Sequence, residues 1–149
     1  LIMADAIDVA INQKGDDEPQ MLVDIATLTG AIKVALGSEL FGLFANDDTL
    51  AGLLMQSAQV YGERGWRMPL FRDYHSHLVS AAADFANASN NRFGGAISAA
   101  LFLQKFVGKK SWAHLDIYGW TDRPLGGYAE VGATGQGVQC LVGLVKSLR

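Results

Sequence analysis

Apolar residues recur at helical spacing at Leu1, Ala4, Ile7, Ala10 and Ile11, so the first eleven residues read as one amphipathic helix. The polar stretch from Asn12 to Gln20, which contains Gly15 and Pro19, reads as a loop. Met21 to Ile25 is a short apolar run with turn signals on both sides, a length that suits a buried strand. Thr27, Thr29 and Gly30 follow it, small residues that let a backbone turn sharply. Phe41 to Ala45 forms a second strand pattern. Asn46 or Asp47 can cap the next helix, and Asp47 and Asp48 suit the positive end of its dipole. Leu50, Leu53, Leu54, Ala58 and Tyr61 make its apolar stripe, which stops near Gly62 and Gly65.

Trp66 to Phe71, interrupted by Pro69, reads as extended chain or loop, and Asp73 to Ala82 as helix. Ala83 to Asn91 follows no single period and allows only a short strand around Phe85. Gly94 and Gly95 lead into Ala96 to Val107, apolar almost all round, the pattern of a helix packed on several sides. Ser111 to Ile117 is a third strand. A glycine-rich loop from Gly119 to Gly137 precedes the last helix. That helix carries Val138, Leu141, Val142, Val145 and Leu148 on one face, with Lys146 and Arg149 toward its C-terminal end. Strands alternate with helices, so the expected class is α/β with a mixed or mostly parallel sheet. No internal repeat, low-complexity tract or linker divides the chain. It reads as one unit.

Composition narrows the function classes. Half of the 149 residues are hydrophobic, which excludes intrinsic disorder. Twelve basic against fifteen acidic side chains give a net charge of −3, with no basic cluster, so nucleic acid is not an expected partner. No apolar run reaches the roughly 18 residues of a membrane span, so a membrane is not expected either. The single Cys140 cannot form an internal disulfide and points to a reducing compartment such as the cytoplasm. Leu1 is not an initiator Met, no leader pattern precedes the first helix, and no capping residue opens it. The chain reads as a piece cut from a longer one.

Several groups could carry chemistry. Asp5 and Asp8 lie three apart on the first helix, close enough to share a cation, but such pairs are commonly a solvated face. His75 and His77 are two apart on a predicted helix, where their side chains diverge, so a shared metal is not expected. His114 and Asp116 alternate on a strand and can point the same way, either as an acid/base pair or as a polar pair hydrogen-bonded inside the sheet. Spacing favours the second. No nucleophile elbow occurs, and Cys140 has no histidine near it in sequence. Gly132 to Gly137 has the spacing G-x-x-G-x-G with no strand leading into it, which fits a tight helix entry better than a dinucleotide loop. Asp24 to Gly30 runs from a buried strand into small residues at its C-terminal end, where ligands collect in open α/β sheets. Its carbonyls and amides could align an extended peptide, though residue types alone leave this open.

The same stretch carries a resemblance. Asp24-Ile25-Ala26-Thr27-Leu28-Thr29-Gly30-Ala31, with Ala35-Leu36-Gly37 after it, resembles the leucyl aminopeptidase (cytosol aminopeptidase) family of di-metal exopeptidases. The likeness continues through Trp66 to Leu70, Gly94 to Ala96, Ala99 to Leu103, Trp112 to Ile117 and Gly132 to Gly135, in the family's order. It implies a three-layer α/β/α sandwich with a mixed, mostly parallel sheet, belonging to a larger catalytic domain. It also implies a cytoplasmic hexamer that removes N-terminal amino acids from peptides with two divalent metal ions, Mn2+, Zn2+ or Mg2+. Thr27, Leu28 and Gly30 match the family's main-chain contacts to the peptide, and Tyr118 and Thr121 match positions around the N-terminal side chain. Many members have Ala at the position of Tyr118, so a narrower or differently shaped pocket is expected here.

The resemblance also implies an absence. The family signature Asn-Thr-Asp-Ala-Glu-Gly-Arg should stand directly before a helix like Leu1-Ile2-Met3-Ala4-Asp5-Ala6, and it is not in this chain. Its Asp and Glu ligands and its catalytic Arg go with it, and the other Lys and Asp ligands and the catalytic Lys would lie further upstream. The expectation is the C-terminal portion of a catalytic domain, residues 1–149, with substrate-binding residues but neither catalytic nor metal-binding ones, and inactive alone. The alternative is a non-catalytic scaffold or oligomerisation module derived from that fold.

Overall fold

Among the described residues, six short strands and five α-helices follow one another: α1 (Ile2–Ile11), β1 (Met21–Ala26), α2 (Gly30–Leu36), β2 (Phe41–Ala45), α3 (Asp48–Val60), β3 (Gly65–Arg67), α4 (Gly95–Val107), β4 (Ser111–Asp116), β5 (Trp120–Thr121), β6 (Gly132–Ala133) and α5 (Val138–Ser147). The computed structural model describes every residue except Asn90, Leu125, Tyr128 and Arg149. Four strands form the main sheet in the order β1-β4-β2-β3. β1 runs parallel to β4 and β2 parallel to β3, while β2 and β4 are antiparallel, so the sheet is mixed and mostly parallel.

Side chains alternate across the sheet, and this divides the core in two. Phe41, Leu43, Ala45, Ala113 and Leu115 face α3 and α5, where they meet Leu50, Leu54, Ala58, Cys140 and Leu144. On the other face Trp112 packs with Ala4 and Ile7 of α1 and Leu101, Leu103 and Val107 of α4. Beside it Phe44 packs with Ile32 of α2 and with Ala96 and Ala100. The result is the expected α/β/α sandwich. Among the described residues, no helix is long and apolar enough to cross a membrane.

Local chemistry sets the element ends. Asp47 caps α3 by accepting from the amides of Thr49 and Leu50 at 2.8 and 3.1 Å. The carboxylate of Glu63 accepts from the amides of Gly137 and Cys140 at 2.8 and 2.6 Å, so a distant side chain caps α5. Gly137 has a φ of +87°, and a Cβ there would also stand 2.3 Å from Ile25 Cδ1, so only glycine fits the entry.

Four readings of the sequence need correction. The turn after β1 continues into α2, seven residues too short to show a period, capped by Thr29 Oγ1 accepting from Ile32 N at 3.2 Å. The helix expected over Asp73–Ala82 is a 3-10 turn at Arg72–Leu78. No strand forms around Phe85, whose ring instead packs edge-on against Phe102 and Phe106, each at 5.6 Å. The last correction concerns α5. Val138, Val142, Val145 and Leu148 are 41–54% exposed, while Cys140, Gly143 and Leu144 are buried. Gly143 explains the choice of face: a Cβ there would lie 2.1 Å from Ser57 Oγ, so α5 approaches α3 through its least bulky side. Arg149, read as part of this helix, lies outside the described residues.

Candidate substrate site

β1 and β4 are parallel neighbours with Ala26 opposite Asp116, so both chains leave the sheet at the same end. The segment Thr27–Thr29 crosses that end and enters α2. Thr27, Leu28 and Gly30 are exposed, whereas Asp116 is buried with no accessible surface. The Asp116 carboxylate holds the segment at three points. Its Oδ1 accepts from Leu28 N at 3.1 Å and Thr29 N at 3.2 Å, and its Oδ2 accepts from Thr29 Oγ1 at 2.6 Å. Burial pushes the Asp116 carboxyl above the usual aspartate range, opposed by the hydrogen bonds from Thr29 and Leu28. Among the described residues, no hydrogen bond reaches the carbonyl oxygens of Thr27 and Leu28.

The segment after β4 forms the adjoining wall. Tyr118 N and Gly119 N donate to Gln136 Oε1 at 3.0 and 3.2 Å, which fixes this backbone. A Cβ on Gly119 would stand 3.8 Å from Thr27 Cγ2, so the wall abuts the crossing segment. Lys33 Nζ of α2 lies 3.6 Å above the Tyr118 ring and 2.9 Å from Asp122 Oδ2. Tyr118 Oη donates to both Asp122 oxygens at 3.1 and 3.2 Å. The Tyr118 hydroxyl, then Asp122, holds the Lys33 ammonium above its ordinary range, and Lys33 holds the Asp122 carboxyl below its own. Thr27, Leu28, Gly30 and Tyr118 thus surround one end of the sheet. Thr121 is buried, and its hydroxyl donates to the Arg123 carbonyl. A cavity of about 360 Å³ opens beside Leu28, lined also by Leu1, Met3, Asn87, Asn91 and Phe102.

The remaining candidates resolve as structure. His114 and Asp116 share a face but not a bond: His114 Nδ1 meets Asp24 Oδ1 at 2.5 Å, and Trp112 Nε1 donates to Asp24 Oδ2 at 2.6 Å. Asp5 and Asp8 are exposed on α1. His77 Nδ1 pairs with Ser98 Oγ at 3.1 Å, while His75 Nδ1 is buried with no partner among the described residues. Burial pushes the Cys140 thiol up to about 11, which suits a packed thiol rather than a nucleophile. Among the described residues, no group of three or more His, Cys, Asp or Glu side chains could hold a metal ion.

Residues 1–142 match the model of the cytosol aminopeptidase family, catalytic domain. The chain belongs to the cytosol aminopeptidase family. A protein named probable cytosol aminopeptidase from Roseiflexus castenholzii is 51% identical over 126 residues, which is 83% of this chain and 26% of that protein. The crystal structure of a cytosol aminopeptidase from Coxiella burnetii superposes with a TM-score of 0.88 at 39% identity, covering 99% of this chain and 32% of that one. The bottromycin maturation enzyme BotP, solved in complex with Mn, gives 0.92 at 36% identity with the same coverage. The chain therefore spans about a quarter to a third of the length of these proteins.

Sequence reasoning located the crossing segment by its motif but missed what holds it. Asp116 was visible only as a strand-end acid, because nothing local shows that β4 pairs with β1 and puts it under Leu28 and Thr29. Lys33, Asp122 and Gln136 carried no signal of their own.

Proposed function

We propose that this chain is the C-terminal, substrate-holding portion of the catalytic domain of a metal-dependent aminopeptidase that releases leucine-type N-terminal residues from peptides. One observation carries the reading: the family's peptide-contact segment, Thr27–Gly30, sits exposed at the sheet end with two carbonyls open to a ligand. The carbonyls of Thr27 and Leu28 accept N–H groups from an extended peptide, and the Tyr118 side of the segment faces its side chains. In this reading the parent works in the cytoplasm as a homo-oligomer, a hexamer as in its family.

The described residues do not supply a site for the family's two ions, Mn2+, Zn2+ or Mg2+. Asp24 and Asp116 spend their oxygens within the fold, and Asp5 and Asp8 lie on an open helix face. The ions belong in this proposal to residues outside the chain. The purified 149-residue chain, supplied with Mn2+, is expected to release no leucine from leucine amide. A longer product in which Asn-Thr-Asp-Ala-Glu-Gly-Arg precedes Leu1 is expected to release it. Leucine release by the short chain, or unrelated residues encoded upstream, would overturn the proposal.

The outward apolar face of α5 favours a second reading, a scaffold or oligomerisation module derived from the fold. Stoichiometric metal in the purified protein would count against it.

A further inference from the structure

We infer that Asp116 is the positioning residue of the substrate segment, and that its carboxylate turns the amides of Leu28 and Thr29 inward so that the carbonyls of Thr27 and Leu28 face hydrogen-bond donors of the ligand. The inference rests on the aminopeptidase reading and adds to it a residue that the peptide never touches.

A strand-to-helix crossing normally presents amides outward, and exposed amides attract carboxylates and phosphates. At Leu28 and Thr29 the arrangement is reversed. The amides of Leu28 and Thr29 both turn inward to Asp116 Oδ1, and the amide of Ile32 is satisfied by Thr29 Oγ1. The two peptide planes that follow Thr27 and Leu28 are tied at their N–H ends by this pairing, which leaves their carbonyls, those of Thr27 and Leu28, free. A buried acid beneath them adds negative potential at the same place. An ammonium or a peptide N–H is favoured there, and a carboxylate is repelled.

The fold makes the placement rigid. Asp116 ends β4, an interior strand flanked by β1 and β2. Its neighbour Ile117 donates to the Ala26 carbonyl at 3.0 Å, so β1 and β4 remain paired up to the start of the crossing. The carboxylate is aimed by its strand, and Thr29 Oγ1 links it onward to the first turn of α2. Removing it leaves the sheet intact but frees Leu28 and Thr29 to rotate their peptide planes.

The test compares wild type with Asp116→Ala and Asp116→Asn in two measurements. In the 149-residue chain, amide hydrogen exchange at Leu28 and Thr29 is expected to accelerate at least about tenfold in the alanine variant, while Trp112 and Leu115 stay protected. Asparagine, which keeps Oδ1, is expected to restore most of the protection. In the longer metal-loaded protein, the alanine variant is expected to raise KM for leucine amide about tenfold with kcat changed by less than about threefold, and asparagine to recover much of the loss. A fall in kcat at constant KM is what loss of folded enzyme produces, and it would overturn the inference. So would unchanged exchange at Leu28 and Thr29. If the alanine variant does not fold, Thr29→Val removes the contact to Oδ2 together with the cap on Ile32 N and is expected to raise KM about threefold; an unchanged KM there would equally overturn it. A wild-type protein with no activity would refute the aminopeptidase reading itself, and this inference with it.

Discussion

Three ionisable side chains, Asp24, His114 and Asp116, sit on one face of the sheet with less than a tenth of their surface exposed. A buried charge without partners would cost several kcal/mol, and two arrangements avoid that. Asp24 accepts from both Trp112 Nε1 and His114 Nδ1, a compact unit that locks the register of β1 against β4. Asp116 accepts from a crossing segment rather than from the sheet, and its pKa is displaced upward, chiefly by burial. A carboxyl whose native pKa exceeds the ordinary 3.8 holds its proton more tightly when folded. Its contribution to stability is complete below the unfolded value and is lost as pH rises through the native one. Relative to Asp116→Asn, wild type is therefore expected to lose stability as pH climbs above 3.8. Urea midpoints at a series of pH values measure the gap, and a gap that moves in wild type's favour with rising pH would show the hydrogen bonds outweighing desolvation.

At the scale of elements, α5 is the informative one. It has apolar residues on two faces, and periodicity cannot say which face a core will use. The structure chooses the side with Cys140, Gly143 and Leu144, because a helix can approach α3 closely only where its side chains are small. Leu144→Ala is expected to cost about 2–5 kcal/mol, and Val142→Gln or Val145→Gln no more than about 0.5 kcal/mol, in equilibrium urea unfolding. Equal losses at both faces would mean that the outward stripe is covered in the isolated chain. α3 was readable down to its Asp47 cap, since the cap and the stripe are local features. α2 was not, because seven residues hold too few turns for a period, and its cap, Thr29, looked like an ordinary turn residue.

For the whole molecule, the two half-cores close around the sheet and leave Cys140 without accessible surface, its Sγ donating to the Leu54 carbonyl at 3.3 Å. The thiol is reachable only when α5 leaves α3. Labelling with a chromogenic disulfide at mildly alkaline pH is expected to be slow in native buffer and to rise in step with the urea transition. Fast labelling of the native chain would place α5 among locally opening segments. Family membership also belongs to this scale, since the match runs through residues 1–142 and the fold superposes on relatives about three times longer.

The sequence by itself determined the alternation of strands and helices, the α/β class, the main strand positions and the segment Thr27–Gly30, because periodicity, caps and a contiguous motif are written in neighbouring residues. Tertiary structure alone decided which face of α5 is buried, that Glu63 caps that helix from 74 residues away, and that Asp116 lies beneath Leu28 across a sequence gap of 88. Those outcomes depend on strand order and on how closely two helices can approach. Both are set by the packing of the whole chain, and no local window contains them.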